Sequence, residues 1–389
     1  MQANGLGLII ERFLPELKQN TGLSGQQLKV LNTLKLCRTP GLGGSAVACK
    51  DCGTMHYVLH SCRNRHCPKC QGIDREIWLD ARKMEVLPVK YFHVVFTVPH
   101  DLLELFRFNK VIMYNLLFKH AWRTLKTFGD DPEWLGAKLG ALAILHTWDQ
   151  QMKLHPHVHF IIPAGGINKT GKWKNTKTNG DFLFDVDMLS DVFRFTFVKE
   201  LRLLKKKGEL KKAVPKTLYD KPWIVYAKQA FGSPGQVLEY LARYTHRVAI
   251  SNSRIKKITD KEVTFSWCDR KQGYKTKSQT LTGVGFLERF IQHIMPAHFT
   301  RIRHYGFLSP RSKADALKRI RSDLKVIEVV LVKRTRKEIL EEKWGGRSLL
   351  QCRECGGELK LLETFKSQRA PPAMPDKPSP NFEFYKSLL

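Results

Sequence analysis

The chain has 389 residues, 42% of them hydrophobic, which allows two or three domains with a buried core. Its 66 Lys and Arg against 36 Asp and Glu leave a net charge of +30, which favours nucleic acid as the partner over an anionic membrane surface. No apolar run approaches the roughly 20 residues that a membrane-spanning helix needs, and the N-terminus lacks a signal pattern, so the sequence predicts a cytoplasmic, nucleoid-associated protein without membrane contact.

Residues 1–36 form the first predicted region, in which apolar residues recur at helical spacing. We expect two helices here, broken at Gly22–Gly25. The next region, residues 37–88, is predicted to be a small zinc-binding and DNA-binding module that ends in a helix over 71–88. Basic side chains crowd its centre, which is consistent with a surface that contacts DNA phosphates and equally with a solvated basic rim.

The nine cysteines are expected to be reduced in the cytoplasm, so paired cysteines indicate a metal rather than disulfides. Two Cys-x-x-Cys motifs separated by fourteen residues can each form a tight turn, and together they would complete a tetrahedral Zn²⁺ site. The predicted ligands of this structural zinc are Cys49, Cys52, Cys67 and Cys70. Cys62 and His66 are either ligands of a second zinc or a buried cysteine and a surface histidine.

The third region, residues 89–310, alternates predicted strands and helices. Strands are expected over 91–99 and 140–148, and helices over 101–128 and 186–207. The region beyond it, residues 311–366, is basic and partly helical, and it contains a Cys-x-x-Cys motif at Cys352 and Cys355. This half motif has no second half in the sequence, so it would need to borrow Cys37, Cys62 or ligands from another subunit. The composition of residues 367–389 predicts a disordered tail.

The strand Leu154–Pro163 is the most informative element of the third region. Side chains alternate along a strand, so His155, His157 and His159 are expected to share one face. Three imidazoles on an apolar strand are costly to bury unless something binds them, and neutral imidazole is the commonest metal ligand in proteins. A divalent metal site is therefore favoured over a histidine-rich strand end that faces solvent. The short polar connection to the preceding strand predicts a hairpin that brings His146, Asp149 and Gln150 near this face.

A helix over Pro234–Val248 is well specified, because the letters Ser-Pro-Gly-Gln provide an N-cap, a proline at the first position and a glutamine at the third. Tyr240 and Tyr244 are four residues apart, so their phenols lie on one face, one turn apart, beside Arg243 and Arg247. Taken alone, two tyrosines at the edge of an apolar stripe are typical of core packing.

Together, the histidine strand, the Tyr-x-x-x-Tyr helix and the basic excess resemble the HUH endonucleases, a superfamily of rolling-circle replication initiators, relaxases and certain transposases. The zinc segment Cys62–Gln71 resembles that of transposases of the insertion-sequence-ninety-one family. Further landmarks of that family follow in the same order, at His146–Trp148, His155–His159, Tyr240–Ser251 and Arg301–Gly306. The resemblance covers about residues 30–310.

The resemblance implies an α+β fold, in which an antiparallel HUH sheet carries the histidine pair on a central strand and helices lie on its faces, with a small N-terminal zinc module. His157 and His159 would hold a catalytic Mg²⁺ or Mn²⁺ that polarises the scissile phosphate. The third ligand varies in the superfamily. Gln150 is the first candidate by its spacing from His157, and His146 is the second.

The implied reaction is the attack of a tyrosine phenolate on a phosphate of single-stranded DNA at transposon ends and target, giving a 5′-phosphotyrosine and a free 3′-hydroxyl. Tyr240 and Tyr244 are the implied nucleophiles, assisted electrostatically by the metal and by Arg243 or Arg247. One alternative is a replication initiator or relaxase. The sequence contains no G-x-x-x-x-G-K-S/T motif of a helicase, which disfavours an initiator that couples nicking to unwinding. The other alternative is an inactive zinc-bearing DNA-binding regulator.

Overall fold

A computed structural model describes residues 5–177, 183–231, 236, 237, 240, 247–269, 272–326, 334–343, 345, 346, 348 and 350–366. The helices of the described residues are α1 (Leu6–Asn20), α2 (Gly25–Lys35), α3 (Gln71–Lys83), α4 (Leu103–Phe108), α5 (Lys110–Asp130), α6 (Val186–Lys206), α7 (Gly283–Gln292), α8 (Lys313–Asp323) and α9 (Arg336–Lys343). In the described part of the chain, every helix is too short or too polar to span a lipid bilayer.

The strands of the described residues pair into four antiparallel sheets. They are β1 (Gly44–Cys49), β2 (Met55–Leu59), β3 (Tyr91–Thr97), β4 (Gly140–Trp148), β5 (Leu154–Pro163), β6 (Gly165–Ile167), β7 (Trp173–Asn175), β8 (Val225–Phe231), β9 (Ile255–Ile258), β10 (Glu262–Asp269), β11 (Lys275–Thr282), β12 (Ile302–Gly306) and β13 (Leu359–Phe365). The mixture of helices with antiparallel sheets confirms the predicted α+β class.

The chain divides into two compact units, each built from separate stretches of sequence. The terminal unit contains residues 1–80, 248–291 and 333–389, and the central unit contains residues 81–247 and 292–332. Residues 248–291 were expected within one domain over 89–310, whereas the structure groups them with both ends of the chain. Such grouping depends on tertiary packing, which local hydrophobic patterns do not encode.

The central unit is organised around a five-stranded sheet of order β12-β4-β5-β3-β8, in which β5 is the middle strand. One face of the sheet is apolar and packs against α5 and α6, with Val158 and Phe160 of β5 fully buried in this core. Fully burying a phenylalanine contributes about 1.5–3 kcal/mol. A slip of one residue would turn these side chains away from the core, so the apolar face fixes which side of β5 carries the histidines.

The turn between β4 and β5 is held by a dense set of hydrogen bonds. The carboxylate of Asp149 accepts from the backbone N–H groups of Gln151 and Lys153, both at 2.8 Å. Met152 has a φ of 58° within this turn, and its carbonyl oxygen lies 3.0 Å from Nε2 of the buried His293. The hairpin that sequence spacing predicted is therefore confirmed, and its turn is rigidly specified.

The terminal unit contains two three-stranded sheets, of order β13-β1-β2 and β11-β10-β9. The pair of helices expected over residues 1–36 is confirmed as α1 and α2, and Ser24 with Gln27 forms a capping box that starts α2. Val263 and Phe265 of β10 are fully buried, and Phe265 packs edge-on against Phe286 of α7.

Candidate active site and metal centres

The histidines of β5 lie on the sheet face opposite the hydrophobic core of the central unit. His157 and His159 alternate with the core residues Val158 and Phe160. Strand pairing places His146 of β4 directly opposite His157. Because residues opposite each other in an antiparallel pair project to the same side, all three imidazoles share this face.

The three imidazoles form a compact set of metal donors. The ligand atoms of His146, His157 and His159 all lie within 4.8 Å of one another. Nδ1 of His157 lies 2.7 Å from the carbonyl oxygen of His155. Since a carbonyl oxygen only accepts, Nδ1 carries the proton and Nε2 keeps the lone pair that a metal binds.

The protonation state of His159 also suits a metal ligand. Burial lowers the pKa of His159 well below its ordinary value, and the neighbouring His146 and His157 lower it further. The ring is therefore neutral at pH 7, which is the form that coordinates divalent ions. The set fits a divalent cation, and three nitrogen donors suit a first-row transition ion better than Mg²⁺, which prefers oxygen ligands.

The structure brings His146, the second candidate for the third ligand, into this donor set. Gln150, the first candidate, lies in the turn beyond the last pair of the hairpin, Trp148 with Leu154. Sequence spacing placed both residues near the histidines, but the register of β4 against β5 decides which side chain points at the pair. Gln150 therefore stays a prediction.

Tyr240 is linked to the histidine set through His93 of β3. Its hydroxyl oxygen lies 2.8 Å from Nε2 and 3.0 Å from Nδ1 of His93. Nε2 of His93 is in turn 2.8 Å from Nδ1 of His159, and the two rings are stacked with an interplanar angle of 7°. The phenol is thus one imidazole away from a metal-ligating candidate.

His93 was missed by the sequence reasoning, although it lies inside the strand predicted over 91–99. Val95 is paired with His159, so period-two alternation puts His93 on the histidine face as well. A sequence does not reveal that β3 is the neighbour of β5, so the available signal was only a lone histidine in a strand. Burial lowers the pKa of His93 to about 4, which keeps the ring neutral at pH 7.

Of the two arginines named with the tyrosines, Arg247 is described and lies near the site. Its positive charge contributes to the lowered pKa of His159, after the effects of burial and of the other histidines. Its backbone carbonyl accepts a hydrogen bond from Nη1 of Arg301 at 3.1 Å. Tyr244 and Arg243 lie outside the described residues, and so do most residues of the predicted Tyr-x-x-x-Tyr helix.

The four cysteines of the expected single zinc site do not come together in the structure. Cys67 and Cys70 instead share a cluster with two other cysteines, Cys37 and Cys62. The Sγ atoms in this cluster are 3.4 Å apart for Cys37 and Cys67 and 3.7 Å apart for Cys62 and Cys70. The edge of a tetrahedron with Zn–S bonds of about 2.3 Å is about 3.8 Å long, so the cluster has the size of a zinc–thiolate site.

Cys49 and Cys52 lie in a second cluster, with Cys352 and Cys355. Each Cys-x-x-Cys pair makes the expected turn, but the pairs are completed by partners that the local spacing does not indicate. Cys62, by contrast, belongs to the cluster of Cys37, Cys67 and Cys70. His66 is buried, but it is not a member of that cluster.

Two family profiles match the chain. One, described as "Transposase zinc-binding domain", matches residues 9–98, and the other, described as "Putative transposase", matches residues 140–316. The first range contains all four cysteines of the Cys37 cluster, and the second contains Tyr240 and the three histidines of the candidate metal site. Together they define a transposase with a zinc-binding domain.

Two relatives extend the match over most of the chain. A protein named "Putative transposase y4qJ" from Sinorhizobium fredii is 39% identical over 375 residues, covering 91% of this chain and 93% of the relative. "Transposase for insertion sequence element IS801" from Pseudomonas savastanoi pv. phaseolicola is 26% identical over 322 residues, covering 80% and 77%. The chain belongs to the insertion-sequence-ninety-one family of transposases, with an N-terminal zinc-binding domain. No solved structure matches it significantly.

Proposed function

We propose that this transposase cleaves and rejoins single-stranded DNA through a 5′-phosphotyrosine intermediate, and so moves its insertion sequence by a rolling-circle-like route. The observation that carries the proposal is the position of the Tyr240 hydroxyl, 2.8 Å from His93, which is 2.8 Å from His159. A nucleophilic phenol beside a histidine metal set is the arrangement that attack on a metal-bound phosphate requires.

A divalent ion held by His146, His157 and His159 would polarise the scissile phosphate. The phenolic oxygen of Tyr240 loses its proton to solvent and forms a bond to phosphorus while the bond from phosphorus to the 3′-oxygen breaks. The departing 3′-oxygen takes up a proton from solvent and becomes a free 3′-hydroxyl. His93 holds the phenol in place by a hydrogen bond, and the charge of Arg247 favours the extra negative charge of the transition state. A later 3′-hydroxyl reverses the step on a new strand, and Tyr244 is the predicted second nucleophile.

The test uses labelled single-stranded oligonucleotides that cover the DNA on both sides of the gene, with Mn²⁺ as the metal. We expect the wild-type chain to form a covalent adduct that survives denaturing electrophoresis. Tyr240→Phe and Tyr244→Phe should each impair strand transfer, the double variant should form no adduct, and His157→Ala should abolish metal-dependent nicking. Tyr226→Phe is the matched control, because Tyr226 lies near His93 with its ring centroid 6.1 Å away.

Adducts in the double tyrosine variant would show that another residue is the nucleophile. Nicking that is unchanged in His157→Ala would remove the metal site from the mechanism. A wild-type chain that shifts the oligonucleotides in a native gel, but never cuts them, would favour the inactive DNA-binding regulator.

A further inference from the structure

Two segments of the chain, about 300 residues apart, form the same turn with the same pattern of residues. One runs from Cys49 to Gly53 with the letters C-K-D-C-G, and the other runs from Cys352 to Gly356 with the letters C-R-E-C-G. In both, the N–H of the glycine donates to the carbonyl oxygen of the first cysteine, at 3.1 Å and 3.0 Å. Both glycines have a positive φ, of 69° and 82°, a backbone conformation that is strained for a residue with a side chain.

The two turns face each other so that their four sulfur atoms form one cluster. All four ligand atoms lie within 4.8 Å of one another. The Sγ atoms of Cys49 and Cys355 are 3.4 Å apart, and those of Cys52 and Cys352 are 3.8 Å apart. These separations are close to the edge of about 3.8 Å expected for tetrahedral zinc–thiolate coordination, and they are far longer than a disulfide bond of about 2.05 Å.

Backbone pairing around the cluster brings the two turns together independently of the sulfurs. Strand β13 pairs with β1 along its length, from Cys49 with Leu359 to Gly44 with Phe365. Next to the turn, the N–H of Lys50 donates to the carbonyl oxygen of Glu358 at 2.9 Å, and their side chains form an ion pair. The pairing of β13 with β1 therefore positions the two turns beside each other.

We propose that Cys49, Cys52, Cys352 and Cys355 bind a second structural Zn²⁺, separate from the one in the Cys37 cluster, and that this ion fastens the C-terminal segment to the N-terminal module. Four thiolates in a closed tetrahedral set select zinc over the harder ions that take oxygen ligands. Cys352 and Cys355 lie outside both matched ranges, residues 9–98 and 140–316. The N-terminal module is therefore complete only when the last part of the chain is docked on it.

His56 has a supporting place in this site. Its Nε2 lies 3.3 Å from Sγ of Cys352. With four sulfurs already completing the tetrahedron, His56 donates a hydrogen bond to the Cys352 thiolate and does not replace it as a ligand.

The first test uses the wild-type chain and needs no mutation. The purified protein is treated with N-ethylmaleimide before and after stepwise addition of a zinc chelator, and the modified cysteines are mapped by mass spectrometry. Cys52 and Cys355 are exposed, so without a metal they would react at once. We expect both to be protected together with Cys49 and Cys352, and all four to lose protection at the same chelator concentration. Reaction of Cys355 while Cys52 stays protected would overturn the proposal.

The second test measures zinc by elemental analysis in the full-length chain. The double variant Cys352→Ser/Cys355→Ser is expected to carry one zinc per chain fewer than the wild type and to become sensitive to proteolysis within residues 345–366. Cys268→Ser is the matched control, because Cys268 lies outside both clusters and should leave the zinc content unchanged. An unchanged zinc content in the double variant would refute the proposal, whether or not the protein cleaves DNA.

Discussion

Acidification is expected to destabilise the central unit through His293, which anchors the turn between β4 and β5. The ring is fully enclosed, with Nδ1 3.1 Å from Oγ1 of Thr147 and Nε2 3.0 Å from the carbonyl oxygen of Met152. Burial lowers the pKa of His293 to about 4, whereas the unfolded chain has the ordinary value of 6.5. Between these two values the unfolded state binds more protons, so stability is complete above pH 6.5 and is lost as the pH falls towards 4.

The size of the effect follows from the two pKa values. One pKa unit corresponds to about 1.36 kcal/mol, and integrating the proton uptake gives a loss of about 2 kcal/mol by pH 5 and about 3 kcal/mol by pH 4 from His293 alone. Other histidines of the unit, including the partly buried His93 and His304, have lowered pKa values and act in the same direction. The contribution of His293 must therefore be isolated by a variant.

The assay is urea unfolding of the wild type and of His293→Gln at pH 7, 6, 5 and 4, followed by tryptophan fluorescence. Glutamine keeps a donor for Met152 but does not titrate, so it removes the proton uptake of this one residue. We expect the variant to be less stable at pH 7, because the packing around the ring is lost, and to have a shallower pH dependence by about 3 kcal/mol between pH 7 and 4. Parallel pH profiles for the two proteins would refute a neutral, buried His293.

Three further substitutions test other parts of the central unit. His93→Ala should slow adduct formation by about 10- to 100-fold, because the phenol of Tyr240 loses one hydrogen bond. DNA binding, measured by gel shift, should be unchanged. Equal losses of binding and cleavage would contradict a positioning role for His93. Gly306→Ala should lower the free energy of unfolding by more than about 2 kcal/mol, because φ is 59° and a Cβ would lie 1.7 Å from the carbonyl oxygen of Leu139. Gly171→Ala, with φ of 81° and open space around it, should cost only about 1 kcal/mol in the same thermal or urea measurement.

Local patterns in the sequence predicted the elements around the candidate active site well. The alternation of His155, His157 and His159 with apolar residues placed the histidines on one face of β5, and the structure confirms this strand and its hairpin. This succeeds because a strand with one buried face has a strongly specified register. The central position of β5 followed from the family resemblance and is confirmed by the strand order.

Long-range pairing was the part that the sequence did not reveal. The spacing of Cys49 and Cys52 predicts a tight turn, but it does not say which second turn shares its metal, and the nearest motif in the chain was the wrong partner. The better clue was the glycine that follows each of the two motifs at Cys52 and Cys355 and is missing after Cys70, where Gln71 stands. His93 was missed for the same reason, because the neighbour of a strand in a sheet is decided by tertiary packing.

The pairing of β1 with β13 has a consequence for how the protein is made. β1 leaves the ribosome among the first 50 residues, and its partner Leu359–Phe365 follows roughly 300 residues later. At translation rates of about 5–20 residues per second, β1 waits on the order of 15–60 seconds with one hydrogen-bonding edge unmatched. A nascent or truncated polypeptide would therefore expose an unpaired, aggregation-prone edge of β1 near its N-terminus. The N-terminal sheet is completed only after β13 has been synthesised.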